Sequence, residues 1–115
     1  MGPGARGHDV TTSRSKAIGS AAERQVAKLL GGERVGMDGG PVDVVLGDYC
    51  ALQVKNVRTL PSLNAVRSYI EAMPPDRLRA AVVIERAGSG RRGVRLICFD
   101  LDEWATYHGG TADES

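Results

Sequence analysis

Asp43, Gln53 and Lys55 are the residues whose types and spacing offer chemistry most plainly. Asp43 sits in Gly40-Pro41-Val42-Asp43-Val44-Val45-Leu46, and Gln53-Val54-Lys55 begins ten residues after it. Read as a hairpin with a three-residue turn at Gly47, Asp48 and Tyr49, the segment places Leu46 opposite Cys50, Val44 opposite Leu52 and Val42 opposite Val54. That face is wholly apolar. Strand alternation sends Asp43 to the other face, across from Gln53, with Lys55 two places further along. Cβ atoms of opposed residues stand roughly 4.5–5.5 Å apart, close enough for two side-chain oxygens to share one hard cation. An acid, an amide oxygen and an ammonium on one wall outline a site for a metal and a phosphate. From these three residues alone, a solvated hairpin face carrying Asp, Gln and Lys fits as well.

The chain that must position them has 115 residues, 42% hydrophobic and 25% charged, which suits one globular domain. A net charge of +1 does not by itself announce a polyanionic partner. Arg6, Arg14 and Lys16 precede the first helix, and Arg77, Arg79, Arg91 and Arg92 cluster late. Cys50 and Cys98 lie in apolar strand-like runs and read as small buried hydrophobes in a reducing compartment. His8 and His108 fall in tails without partner spacing, which argues against zinc. No stretch approaches the ~20 apolar residues that span a bilayer, and the N-terminus lacks the apolar core of a signal peptide. A cytoplasmic location, in a bacterial, archaeal or phage-infected cell, is expected.

Residues 1–13 read as a disordered arm, 14–108 as a single domain and 109–115 as a disordered tail. Helical spacing of Ile18, Ala22, Val26, Leu29 and Leu30 predicts a helix from about Ser15 to Leu30, stopped by Gly31-Gly32. Glu33-Arg34-Val35 is a short strand, and the hairpin strands are 42–46 and 50–57. Pro61 suits the first turn of a second helix whose core face is Leu63, Val66, Ile70 and Met73. Strands follow at 80–84 and 94–99. Asp100 and Glu103 read as a capping box opening a last helix, with Trp104 and Tyr107 packing onto the sheet. The order αβββαββα, with a helix crossing between hairpin and later strands, predicts an α/β sandwich: a mixed five-stranded sheet flanked by helices.

A helix carrying Glu, then a D…(E/Q)xK pair on a hairpin, resembles the PD-(D/E)xK nuclease superfamily and its restriction-endonuclease-like fold. Within that superfamily, Ser15-Lys16-Ala17-Ile18-Gly19-Ser20-Ala21-Ala22-Glu23-Arg24-Gln25-Val26-Ala27 is similar to the opening helix of archaeal-type Holliday-junction resolvases. Met37 to Asp43 with Gln53-Val54-Lys55 also resembles the Mrr-type nuclease domain, in which a Gln commonly replaces the second acid. The resemblance covers residues 13–105. It implies Asp43 as the central metal-binding acid, Gln53 as a side-chain carbonyl ligand, Val54 as a backbone-carbonyl ligand, Lys55 as the catalytic lysine and Glu23 as the helix glutamate completing the metal shell. The implied cofactor is Mg²⁺, with Mn²⁺ able to substitute. Mg²⁺ takes about six oxygens, keeps several waters and needs only one or two carboxylates.

The implied partner is branched DNA, and a C2 homodimer is implied with it, because a four-way junction has two symmetric strands to cut and a dimer supplies two sites. Arg14, Lys16, Gly19, Ser20, Arg24, Asn56 and Arg58 are the expected backbone contacts. The implied activity is that of a metal-dependent endodeoxyribonuclease selective for junctions. A Mrr-like or repair nuclease, and a catalytically inactive DNA-binding module of the same fold, are the alternatives. For self-association, the second helix's apolar face and the late strands are the candidate surfaces.

Overall fold

Alternation of apolar and polar residues along the central hairpin makes a sheet with two different faces, and a helix settles on each. The computed structural model describes residues 20–35, 40–88 and 93–109. Helix α1 (residues 20–30) is followed by strands β1 (Glu33–Arg34), β2 (Val44–Leu46) and β3 (Cys50–Val57). Helix α2 (Leu63–Glu71) then leads to β4 (Leu78–Glu85), β5 (Arg95–Phe99) and helix α3 (Leu101–His108). The five strands form one mixed sheet in the order β1-β2-β3-β4-β5. Only the β3–β4 pair is parallel, as the crossover through α2 requires.

The hairpin register is the one its apolar pattern demands: Val44 pairs with Leu52, Val45 with Ala51 and Leu46 with Cys50. Gly47 takes φ +54° in the turn, a conformation open to glycine. Val44, Cys50 and Leu52 are fully buried and join Leu78, Ala80 and Val82 beneath Val26 and Ala27 of α1. On the other face Ala81 and Val83 pack against Val66 and Ile70 of α2, with Val57, Tyr69 and Cys98 around them. Burial pushes the Cys50 thiol up to about 11, with the Glu103 charge adding to the shift, so it stays protonated and inert at neutral pH.

Helix α1 ends as the Gly-Gly pair implies. Gly31 has φ +69°, and the Gly32 N–H returns to the Ala27 carbonyl at 2.8 Å. A Cβ on Gly32 would stand 2.6 Å from the Val45 carbonyl oxygen, so α1 passes into β1 only because this residue has none.

Several expectations need correction. β2 is shorter than 42–46, because the chain leaves the regular ladder at Asp43. The start of α1, with Ile18, lies outside the described residues, and Leu29 and Leu30 are exposed rather than core. Pro61 precedes the N-cap of α2 instead of occupying its first turn. Ser62 is the cap, its Oγ accepting the Ala65 N–H at 3.1 Å. That phase turns Leu63 to solvent at 86% exposure and leaves Val66, Ile70 and Met73 buried. The apolar face of α2 is therefore spent on its own sheet and is not free for self-association. The outer strand β5 keeps Leu96 and Ile97 exposed.

Asp100 does cap α3, accepting the Glu103 N–H at 3.0 Å, but the Glu103 side chain does not reach back. Instead it takes Arg79: the backbone N–H at 2.7 Å and Nη2 at 2.9 Å. Arg79 Nη1 also donates to the Met73 carbonyl at 2.8 Å. Trp104 packs onto the sheet at Phe99 of β5 as expected, but Tyr107 has no such ring contact among the described residues and α3 buries no residue. Trp104 stacks on His108 and lies 4.6 Å from Phe99, so His108 is the end of a helix rather than tail. The Arg79–Glu103 pair, 16% and 19% exposed, is thus the main tether of α3. Glu103→Ala strands the guanidinium and the Arg79 N–H, and should cost about 2–3 kcal/mol in urea unfolding. A loss below about 0.5 kcal/mol, the level of an ordinary surface change, would remove this role.

Candidate active site

Where β2 parts from β3, a side chain takes over from the backbone ladder. The Asp43 N–H donates to the Leu52 carbonyl and its carbonyl accepts the Val35 N–H, both at 2.8 Å. Its carboxylate Oδ2 accepts the next free N–H of β3, that of Val54, at 2.8 Å. A regular strand residue presents its N–H and C=O to the same edge, so the Val54 carbonyl faces the same gap. The Asp43 side chain lies half-buried at the mouth of the hairpin.

Two charged side chains act on it there. The Glu23 carboxyl, from α1, raises the Asp43 pKa through its charge and its hydrogen-bonding influence. The Lys55 charge acts on Asp43 with the opposite sign, while its Nζ rests 4.9 Å from the centre of the Tyr69 ring on α2. Burial is the largest influence on Asp43 and raises its pKa above 3.8. The Val54 N–H opposes it, Glu23 adds to it, and Lys55 lowers it; the net direction is upward. Arg34 of β1 holds Glu23 from the other side, with Nη2 at 3.2 Å and Nε at 3.4 Å from Oε1.

Gln53 is buried, and its Nε2 donates to the Pro41 carbonyl at 2.9 Å. Its amide therefore pins the segment entering β2, and only Oε1 remains to serve as an oxygen donor. Among the described residues no three His, Cys, Asp or Glu side chains gather. A cation here would rest on Asp43 and Glu23, with Gln53 Oε1 and the Val54 carbonyl as neutral oxygens. That donor set, all oxygen with two carboxylates, suits a hard ion such as Mg²⁺.

Of the expected DNA contacts, Arg14, Lys16 and Gly19 lie outside the described residues. Ser20 is half-buried at the described start of α1; Arg24 and Arg58 are exposed. Arg24 and Asn56 line an open groove of ≈ 950 Å³ together with Ala21, Gln25 and Lys28. Asn56 Oδ1 accepts from Arg86 Nε at 3.0 Å. Lys28 and Arg86 add positive charge that the sequence reading passed over. The Arg24–Lys28 spacing of four on a helix was the available signal for the first. Arg86 had none. Arg79, in the late basic cluster, is committed to Glu103, while Arg91 and Arg92 lie outside the described residues.

Comparison with protein-family models, with curated proteins and with solved structures returns no match. No helix among the described residues is long and apolar enough to cross a membrane.

The raised Asp43 pKa fixes the sign of a stability effect. Protonated Asp43 favours the fold, a contribution fully present below about pH 3.8 and lost as pH rises through the folded value. At neutral pH the ionised group opposes folding. Asp43→Asn keeps an acceptor for the Val54 N–H and removes the charge. In chelator at pH 7 the variant should melt higher than the parent by on the order of a few °C. The gap should close on acidification to pH 3.5. A lower melting temperature at pH 7 would contradict this electrostatic account.

Proposed function

We propose that this chain is a metal-dependent endodeoxyribonuclease of the PD-(D/E)xK type, with a restriction-endonuclease-like fold and a preference for four-way junctions. The observation that carries the reading is the meeting of Glu23, from the opening helix, with Asp43 at the mouth of the hairpin, within the field of Lys55. The Glu23 and Lys55 charges both act on the Asp43 carboxyl, from elements in the order that the resemblance requires.

Asp43 and Glu23 would hold a divalent cation, which would supply counter-charge for the scissile phosphate and lower the pKa of a bound water. Lys55, as a point charge with three donors, would orient the attacking water or stabilise developing negative charge. Gln53 Oε1 and the Val54 carbonyl contribute oxygen without charge. Arg24, Lys28, Arg86 and Arg58 hold the backbone at the rim, which positions nucleic acid without reading its sequence. Junction resolution needs two such sites, so a C2 homodimer belongs to this reading. The exposed Leu96 and Ile97 of β5 make that edge its candidate interface.

One observation favours a second reading, a DNA-binding module of the same fold without cleavage. Gln53 spends its amide on the Pro41 carbonyl instead of presenting a second acid on β3.

Labelled four-way junction, duplex, flap and single-stranded DNA, each incubated with Mg²⁺ or Mn²⁺, distinguish the readings. Paired symmetric nicks on the junction alone are expected. Cutting of duplex or flaps without junction preference selects a Mrr-like or repair nuclease. Binding without cutting in either metal selects the module. Asp43→Ala and Lys55→Ala should each lower cleavage roughly 10²-fold or more, with junction binding in Ca²⁺ retained. Undiminished cleavage in either variant would move the site elsewhere.

A further inference from the structure

Arg34 lies on β1 opposite Val44, next to the point where Asp43 leaves the ladder. Both of its hydrogen bonds to Glu23 go to one oxygen, Oε1, at 3.2 and 3.4 Å, and no N–H among the described residues reaches Oε2. The guanidinium is 36% exposed and its contacts are long, so the clamp is weak and easily exchanged. Its position is nevertheless telling. Among the described residues Arg34 is the cation that pairs with Glu23, at 3.2 Å, and the Glu23 charge in turn acts unfavourably on the ionised Asp43.

We propose that Arg34 is the internal counter-ion of the Glu23–Asp43 pair, competing with a divalent cation for Glu23 and so setting the affinity of the site. The inference rests on the metal-site reading given above. With Asp43, Glu23, Lys55 and Arg34 all charged, the site is neutral, and a cation gains little by entering. Once Arg34 is drawn off Glu23, two carboxylates remain against one ammonium. Arg34 then acts as a gate on metal affinity by occupying Glu23 Oε1, without itself touching the reacting atoms.

Calorimetric titration of Mn²⁺ into the full chain, without nucleic acid, tests this independently of any activity. Arg34→Gln should tighten Mn²⁺ binding by about fivefold, the upper range for displacing a half-exposed ion pair. Arg34→Met should do the same, and Arg34→Lys should stay within about twofold of the parent. Arg34 is exposed on a two-residue edge strand, and circular dichroism melts are the check that each variant folds. In a Glu23→Gln background, Arg34→Gln should change the affinity by less than about twofold, because the competition has lost its object. Equal or weaker binding by Arg34→Gln overturns the proposal and makes Arg34 an orienter of Glu23 or a bystander. Tightening that persists in Glu23→Gln overturns it in favour of a long-range field effect. If the parent binds Mn²⁺ and only the Arg34 variants fail to differ, the metal site stands and this inference falls. If the parent binds no Mn²⁺ at all, the metal-site reading fails and takes the inference with it.

Discussion

A strand pair can end in two ways: the backbones diverge and leave their polar groups to water, or a side chain takes the place of the missing ladder. Here Asp43 does the second. Its carboxylate takes the Val54 N–H at the position where β2 would otherwise have supplied a carbonyl. The bond holds the hairpin mouth open by a fixed amount and orients an acid that is half-buried. It also explains why the acid tolerates its surroundings: a charge-assisted bond from a backbone amide offsets part of the desolvation that raises its pKa. Remove that bond, and neither the end of β2 nor the direction of the carboxylate is determined.

The two helical layers then matter for what they bring to that mouth. α1 is fixed by Ala22, Val26 and Ala27 over the apolar hairpin face and by the Gly32 passage against Val45. Glu23, next to the buried Ala22, emerges at the edge of that contact. α2 is fixed by Val66 and Ile70, and Tyr69 beside Ile70 offers its ring to the Lys55 ammonium. A cation over an aromatic face is worth about 0.5–2 kcal/mol, enough to bias a long flexible side chain toward one region. The charged groups thus depend on apolar packing several residues away.

Much of this was legible in the sequence because it rests on period. The apolar set Val44, Leu46, Cys50, Leu52 defines one register, and a slip by one residue would expose all of it. The N-cap Asp100 and the Gly31-Gly32 stop were legible as local chemistry. Leu63 was misread because a helix's phase is set by its cap, and Ser62 moved that phase away from Pro61. Glu103 was misread because its partner, Arg79, lies on another element 24 residues away, where no local rule reaches. Arg34 and Tyr69 were missed for the same reason: a two-residue strand has no period, and one ring on an amphipathic helix looks like any other apolar contact.

The way α3 is attached has a consequence for how the molecule comes apart. With no residue of its own in the core, the helix is joined chiefly by one guanidinium–carboxylate clasp and by Trp104 against Phe99. Its opening need not wait for the sheet. Such an attachment favours a separate cooperative unit, in which amide protons of 101–108 would exchange with solvent through a partial unfolding while those of β3 and β4 would stay protected until the whole domain is lost.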